Sequence, residues 1–355
     1  HIMNFDPDTW IFDGHNDLLS ILERADDPLS ACDDFLTGLP GNIDLPKMTK
    51  GQMGGGFFAI WISGRGNAPT VPKSIIPDTN IYQIPAVPRE IALETAMLQL
   101  SLFKRLVTNG GISHCTSTAE MKAAVAQGKV AAILHMEGAE AIGEDLSFLE
   151  FLFEKGLRSL GPVWSRDTIF AHGVPFVFNS TPDIGPGLTE AGFRLVKRCN
   201  ELGVLIDLSH LNEAGFWDIA KTSDAPLVAT HSNAHAICPH SRNLTDKQLA
   251  AIKESGGMVG LNFGTAFLRP DGRRTGDCLP SILLQHLDHL IAHLGENHVG
   301  FGSDFDGTLM PDFIGDSAGL PNLVTAMSEH GYNDALIRKL CHENWLRVLD
   351  KTWKT

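Results

Sequence analysis

The sequence predicts a (β/α)8 TIM-type barrel, and three observations carry that prediction. Short apolar runs recur along the 355 residues, polar residues close each run, and amphipathic helix-like stretches lie between most of them. The runs cover residues 10–17, 56–63, 130–137, 157–164, 204–210, 226–231, 258–263 and 299–304. Each is about as long as one strand and rich in Val, Ile, Leu or Phe, as parallel strands buried on both faces require. Stretches at 90–107, 189–202, 245–254 and 279–294 supply crossover helices, and Thr245 opens one of them with N-cap chemistry and an acid in the first turn. Alternation alone suits any α/β fold. The barrel is preferred because the chemistry-bearing residues fall at the C-terminal ends of the runs, where a barrel builds its active site. Loops rich in Gly and Pro at 63–89 and 171–187 follow the second and fourth runs, on that same face.

Composition sets the class. With 43% hydrophobic and 20% charged residues the chain can bury a large core, and one barrel domain over 1–355 accounts for its length. His1 and Ile2 read as a cloning scar ahead of Met3, so His1 is left out of metal reasoning. The sequence shows no secretory leader, no run near the roughly 20 apolar residues that span a bilayer, and no lipid-anchor signal. The expectation is a protein with no membrane association. Six cysteines without a CxxC pair fit reduced thiols in a cytoplasm better than a disulfide framework. A net charge of -14 without a basic cluster argues against nucleic acid as a partner.

The run ends assemble a ligand set. The first closes as Asp13-Gly14-His15-Asn16-Asp17, and in an extended chain His15 and Asp17 share a face, a half-site for Zn²⁺. The third closes as His135-Met136-Glu137-Gly138. A carboxylate there is costly unless paired or bound to a cation, and His135 competes with Glu137 for the role. The fifth and sixth close on His210 and His231, both able to ligate as neutral imidazoles. The eighth reads Gly300-Phe301-Gly302-Ser303-Asp304-Phe305-Asp306-Gly307. Asp304 and Asp306 are expected to share a face, and an acid here suits a general base beside a metal. An HxD pair, a strand-end His or an Asp-Gly turn is common by itself; their convergence describes a metallohydrolase.

Taken with Asp207-Leu208-Ser209-His210, His231-Ser232 and Ser241-Arg242-Asn243, these segments resemble the membrane (renal-type) dipeptidases, a branch of the amidohydrolase superfamily. They run in the family's order across nearly the whole chain. The resemblance implies two Zn²⁺ per chain, one held by His15 and Asp17, the other by His210 and His231, with Glu137 bridging. It implies that Asp304 takes a proton from the attacking water and that Arg242 binds the substrate's terminal carboxylate, for which a guanidinium fork is suited. The substrate implied is a dipeptide, with room for a D-residue at its C-terminal position, and relatives form homodimers. One departure stands out. Mammalian members carry a substrate-facing histidine at the end of strand four, where this chain has Trp164; His172, further along the loop, is the other candidate for that place. Lacking the lipid anchor and disulfides of the mammalian members, the chain resembles a soluble bacterial-type relative.

Two other functions compete. A lactonase or deaminase could use the same barrel, but no bridging-lysine signature is found and Arg242 suits a free carboxylate. A non-catalytic metal-binding protein would need no base at Asp304.

Overall fold

The computed structural model describes residues 4–63 and 80–354, and within them the eight expected strands form a nearly closed parallel barrel with interleaved helices. They are β1 Ile11–Asn16, β2 Met53–Trp61, β3 Ala131–Glu137, β4 Leu157–Gly161, β5 Leu205–Ile206, β6 Val228–Ala229, β7 Met258–Leu261 and β8 Val299–Phe301. Neighbours run β5-β4-β3-β2-β1-β8-β7-β6, and a two-residue strand, Ser113–His114, adds to β3 outside this path. Between β5 and β6 the ring closes on a parallel bridge, Asp207 to Val228, with the Leu208 N–H donating to the Val228 carbonyl at 2.8 Å.

Strand boundaries depart from the sequence reading in two instructive ways. β2 begins at Met53, ahead of three glycines that make poor strand formers. Those glycines are needed for packing. A Cβ on Gly54 would strike the Trp10 ring, and one on Gly55 would press on Phe12 and the Ala131 carbonyl. β4 to β8 end two to four residues early on their polar side, because there the chain leaves the ladder and curls inward. His210 (φ 72°), Asp304 (φ 61°) and Asp306 (φ 64°) all adopt left-handed backbone, which non-glycine residues keep only when their surroundings enforce it.

The expected helices form at Arg89–Thr108, Glu190–Leu202, Asp246–Glu254 and Pro280–Leu294. Thr245 caps the third, accepting from the Gln248 N–H while the Gln248 side chain accepts from Thr245 in return. One apolar cluster runs through the barrel and its helical shell. Trp345, from the helix Asn344–Thr352, is fully buried and packs against Gly14, Gly260 and Gly300, its indole donating to the Phe301 carbonyl at 3.1 Å. A Cβ at any of the three would collide with that ring. The loop at 171–187 folds back over the catalytic face through bridges Gly173 to Leu211 and Phe178 to His240. Residues 64–79 of the loop at 63–89 and residues 1–3, which include His1 and Ile2, lie outside the described residues. Among the described residues no helix is long and apolar enough to cross a membrane, and all six cysteines are buried and unbridged.

Candidate metal centre

Parallel strands deliver their last side chains to one mouth, and there the predicted ligands meet. Glu137 Oε2 lies 3.1 Å from His231 Nε2, 3.2 Å from His210 Nε2 and 3.4 Å from His15 Nε2. His210 and His231 bring their Nε2 atoms within 3.2 Å of each other. On the other side, His15 Nε2 stands 3.2 Å from Asp17 Oδ2 and 3.7 Å from Asp304 Oδ1. All six residues are buried. The atoms fall into two overlapping groups, His15–Glu137–His231 and His15–Asp17–Asp304.

This donor set fits divalent cations. Three buried carboxylates around shared imidazoles are costly without a compensating positive charge. Burial holds the His210 and His231 pKa well below the usual imidazole range, which keeps both rings neutral and able to ligate. Burial also opposes a charge on His15, but Glu137 and Asp17 outweigh it and raise its pKa. The Glu137 carboxyl is raised well above the carboxylate range by burial, as expected of an acid awaiting a cation. Imidazole and carboxylate together suit Zn²⁺ or a similar ion.

A supporting layer orients these groups. His210 Nδ1 meets Ser165 Oγ at 2.8 Å, and His231 Nδ1 meets Thr230 Oγ1 at 2.8 Å, whose hydroxyl donates on to Asp207 at 2.6 Å. Such partners fix which ring nitrogen faces the metal. Asp304 Oδ2 accepts from the Asn262 amide at 3.1 Å, and burial pushes its carboxyl up to about 6. Gly307 lies against both Asp304 and Asp17, so closely that a Cβ there would collide with each carboxylate.

Arg242 is buried at 3% exposure. Its Nη2 donates to the His231 carbonyl at 2.8 Å and its Nη1 to Ser232 Oγ at 3.3 Å, while its buried Nε has no hydrogen-bond partner. Burial lowers its pKa, against the pull of Asp304 and Glu137. Trp164 stands 6.0 Å from the His210 ring and 5.6 Å from Phe176, and meets Trp61 edge-on at 5.2 Å, making an aromatic wall beside the ligands.

Three expectations are refined. His172 pairs with Asp167 at 3.2 Å, and its backbone carbonyl accepts from Asn212; it belongs to neither ligand group. His135 sits a layer deeper, its Nδ1 2.7 Å from Ser159 Oγ, and leaves Glu137 at the centre. Asp306 does not share a face with Asp304, because the left-handed backbone at both breaks the two-residue alternation; its carboxylate accepts from the Asn42 N–H at 2.7 Å. The sequence reading missed Asn262, Ser165 and Thr230. Asn262 follows the last residue of β7, so the strand-end rule could have found it. Thr230 likewise follows the last residue of β6, whereas Ser165 lies four residues past β4 and carries no such signal.

The profile of the membrane dipeptidase family, peptidase family M19, matches residues 4–355. An uncharacterized protein from the pqqA 5′ region of Klebsiella pneumoniae is 46% identical over 258 residues, 72% of this chain and 95% of that protein. Among solved structures, a metallo peptidase of family M19 described as dipeptidase AC superposes with a TM-score of 0.93 at 50% identity, covering 98% of this chain and 100% of that one. A metallo peptidase from Rhodobacter sphaeroides, liganded with a phosphinate mimic of the dipeptide L-Ala-D-Ala, gives 0.92 at 50% identity over the same shares. This chain belongs to the membrane dipeptidase family, the M19 metallo dipeptidases, and is a hydrolase of peptide bonds.

Proposed function

We propose that the chain is a single barrel domain, working in the cytoplasm, that hydrolyses dipeptides at a binuclear zinc site, with Asp304 as general base and Arg242 as the anchor for the free carboxylate. The observation that carries this reading is the meeting of three imidazole Nε2 atoms on one Glu137 oxygen. His15 and Asp17 would hold one ion, His210 and His231 the other, with Glu137 spanning both. Bound there, the ions would polarise the scissile carbonyl and lower the pKa of water. Asp304 accepts the proton: it lies on the His15–Asp17 side, burial keeps it basic for a carboxylate, and Asn262 holds Oδ2 in place. Arg242 measures length. A buried cation paired with the second residue's carboxylate leaves no place for a third residue.

Trp164 brings an apolar surface to the place where mammalian members carry an imidazole, and with Trp61 and Phe176 it would border a substrate side chain. The L-Ala-D-Ala mimic held by the Rhodobacter sphaeroides structure supports acceptance of a C-terminal D-residue here. A hydrolysis panel tests the proposal: L-Ala-L-Ala, L-Ala-D-Ala, tri-alanine, a lactone and an aminopurine. Both dipeptides should be cleaved and the tripeptide spared. Turnover confined to the lactone or the amine would overturn the reading.

A further inference from the structure

A second group of metal-type side chains lies on the outside of the barrel and shares no residue with the centre. His289 and His293 stand one turn apart on the helix Pro280–Leu294, and Asp246 is the first residue of the neighbouring helix Asp246–Glu254. His289 Nε2 is 2.7 Å from Asp246 Oδ1, and His293 Nε2 is 3.7 Å from Asp246 Oδ2. The two rings stack at 4.0 Å, and both Nε2 atoms face Asp246. One atom from each residue falls within 4.8 Å of the others.

The hydrogen bonds say what is missing between them. His293 Nδ1 lies 2.9 Å from the His289 carbonyl, which can only accept, so Nδ1 carries the proton and donates it. In the neutral ring that leaves a lone pair on Nε2 facing Asp246 Oδ2, an acceptor opposite an acceptor, too far apart for a hydrogen bond. A proton on Nε2 or a metal ion between the two atoms would resolve that opposition. With Zn–N and Zn–O bonds near 2.0–2.2 Å, ligand atoms around a tetrahedral ion stand roughly 3.4 Å apart, within reach of three donor atoms that already lie within 4.8 Å of one another. Two histidines at i and i+4 on one helix face already present paired imidazoles to one ion.

We propose that His289, His293 and Asp246 form a peripheral site for a borderline-soft divalent ion such as Zn²⁺ or Ni²⁺, joining the two helices and leaving further positions to water. Imidazole donors select such ions over Mg²⁺ or Ca²⁺. Half-exposed side chains give the ion an open route: His293 is 38% and Asp246 50% exposed at the side chain, and His289 19%.

The test uses the holoenzyme, with its central ions loaded, dialysed against rising Zn²⁺ and read by elemental analysis. Wild type should take up one further ion per chain that the H289A/H293A double variant does not, and Asp246→Asn should need about tenfold or more zinc for the same uptake. His1 is present in every protein and cancels in the difference. Dipeptide turnover should be equal in all three proteins, which also shows that each is folded. Ni²⁺ should raise the melting temperature of wild type but not of the double variant. Equal zinc uptake by wild type and the double variant would overturn the site, as would zinc uptake unchanged by Asp246→Asn.

Discussion

In the proposed mechanism Arg242 separates a dipeptidase from a generic metallohydrolase, and that role can be measured as a coupling. The guanidinium is buried, spends Nη1 and Nη2 partly on Ser232 and the His231 carbonyl, and keeps an unpaired Nε. A hydrogen bond to a charged group contributes about 1.5–3 kcal/mol. At about 1.36 kcal/mol per tenfold, replacing the substrate's carboxylate by an amide should lower kcat/KM by about 10- to 150-fold. Arg242→Ala should lower turnover of the free dipeptide by at least as much, since it also releases the His231 carbonyl, yet add little further loss on the amide. The assay is a cycle of two enzymes against L-Ala-L-Ala and its C-terminal amide, with metal content measured in each. Arg242→Lys, which keeps the charge and loses the fork, should fall between. If the two penalties simply multiply, or wild type cleaves the amide as fast as the acid, Arg242 does not hold the carboxylate.

Other consequences follow from particular contacts. Asp304→Asn keeps the hydrogen-bonding shape but removes the base, so kcat should fall by about 100-fold or more with metal content intact. Loss of metal along with activity would instead assign Asp304 as a ligand of the His15–Asp17 group. Trp345→Ala should cost about 3–5 kcal/mol in denaturant unfolding, because three glycines are shaped to that ring. A loss under about 1 kcal/mol would deny it that role. His286 is buried, sits 2.8 Å from the Leu268 carbonyl through Nε2 and accepts the Ala234 N–H at Nδ1, and burial lowers its pKa to about 4. Its folded pKa is below the unfolded value of about 6.5, so the unfolded chain binds the proton first. Stability is therefore full above about pH 6.5 and falls as pH drops toward 4, by about 3 kcal/mol in all. His286→Gln, able to keep both hydrogen bonds, should lose less over that window in pH-dependent unfolding; identical pH profiles would contradict the assignment.

Most of the barrel was legible because parallel strands buried on both faces must be apolar runs, and because chemistry-bearing polar residues recur at the ends of those runs. The strand-end placement of His15, Glu137, His210 and His231 was legible for the same reason, while their proposed roles as ligands rest on the family resemblance. What the sequence hid depends on contacts across the barrel. Gly54 and Gly55 read as non-strand until Trp10 and Phe12 are seen packed on them. The left-handed backbone at His210 and Asp304 runs against local preference and is held by the site around it. Asp306 was misplaced by that same turn. The hydroxyls on the histidines, Ser165 and Thr230, are ordinary residues in sequence and gain their role from a neighbour 45 residues away in one case and one residue away in the other.

Five residues from four strand ends, His15 and Asp17 sharing one of them, are proposed to hold two catalytic ions. The most direct test counts divalent ions in zinc-reconstituted enzyme against dipeptide turnover, while a chelator strips the ions stepwise and zinc is then returned. The account predicts that, counted in the H289A/H293A variant, which lacks the outer group, two ions per chain accompany full activity, with loss of L-Ala-L-Ala hydrolysis as they are removed and recovery on adding zinc. Full turnover with one ion or none would contradict it.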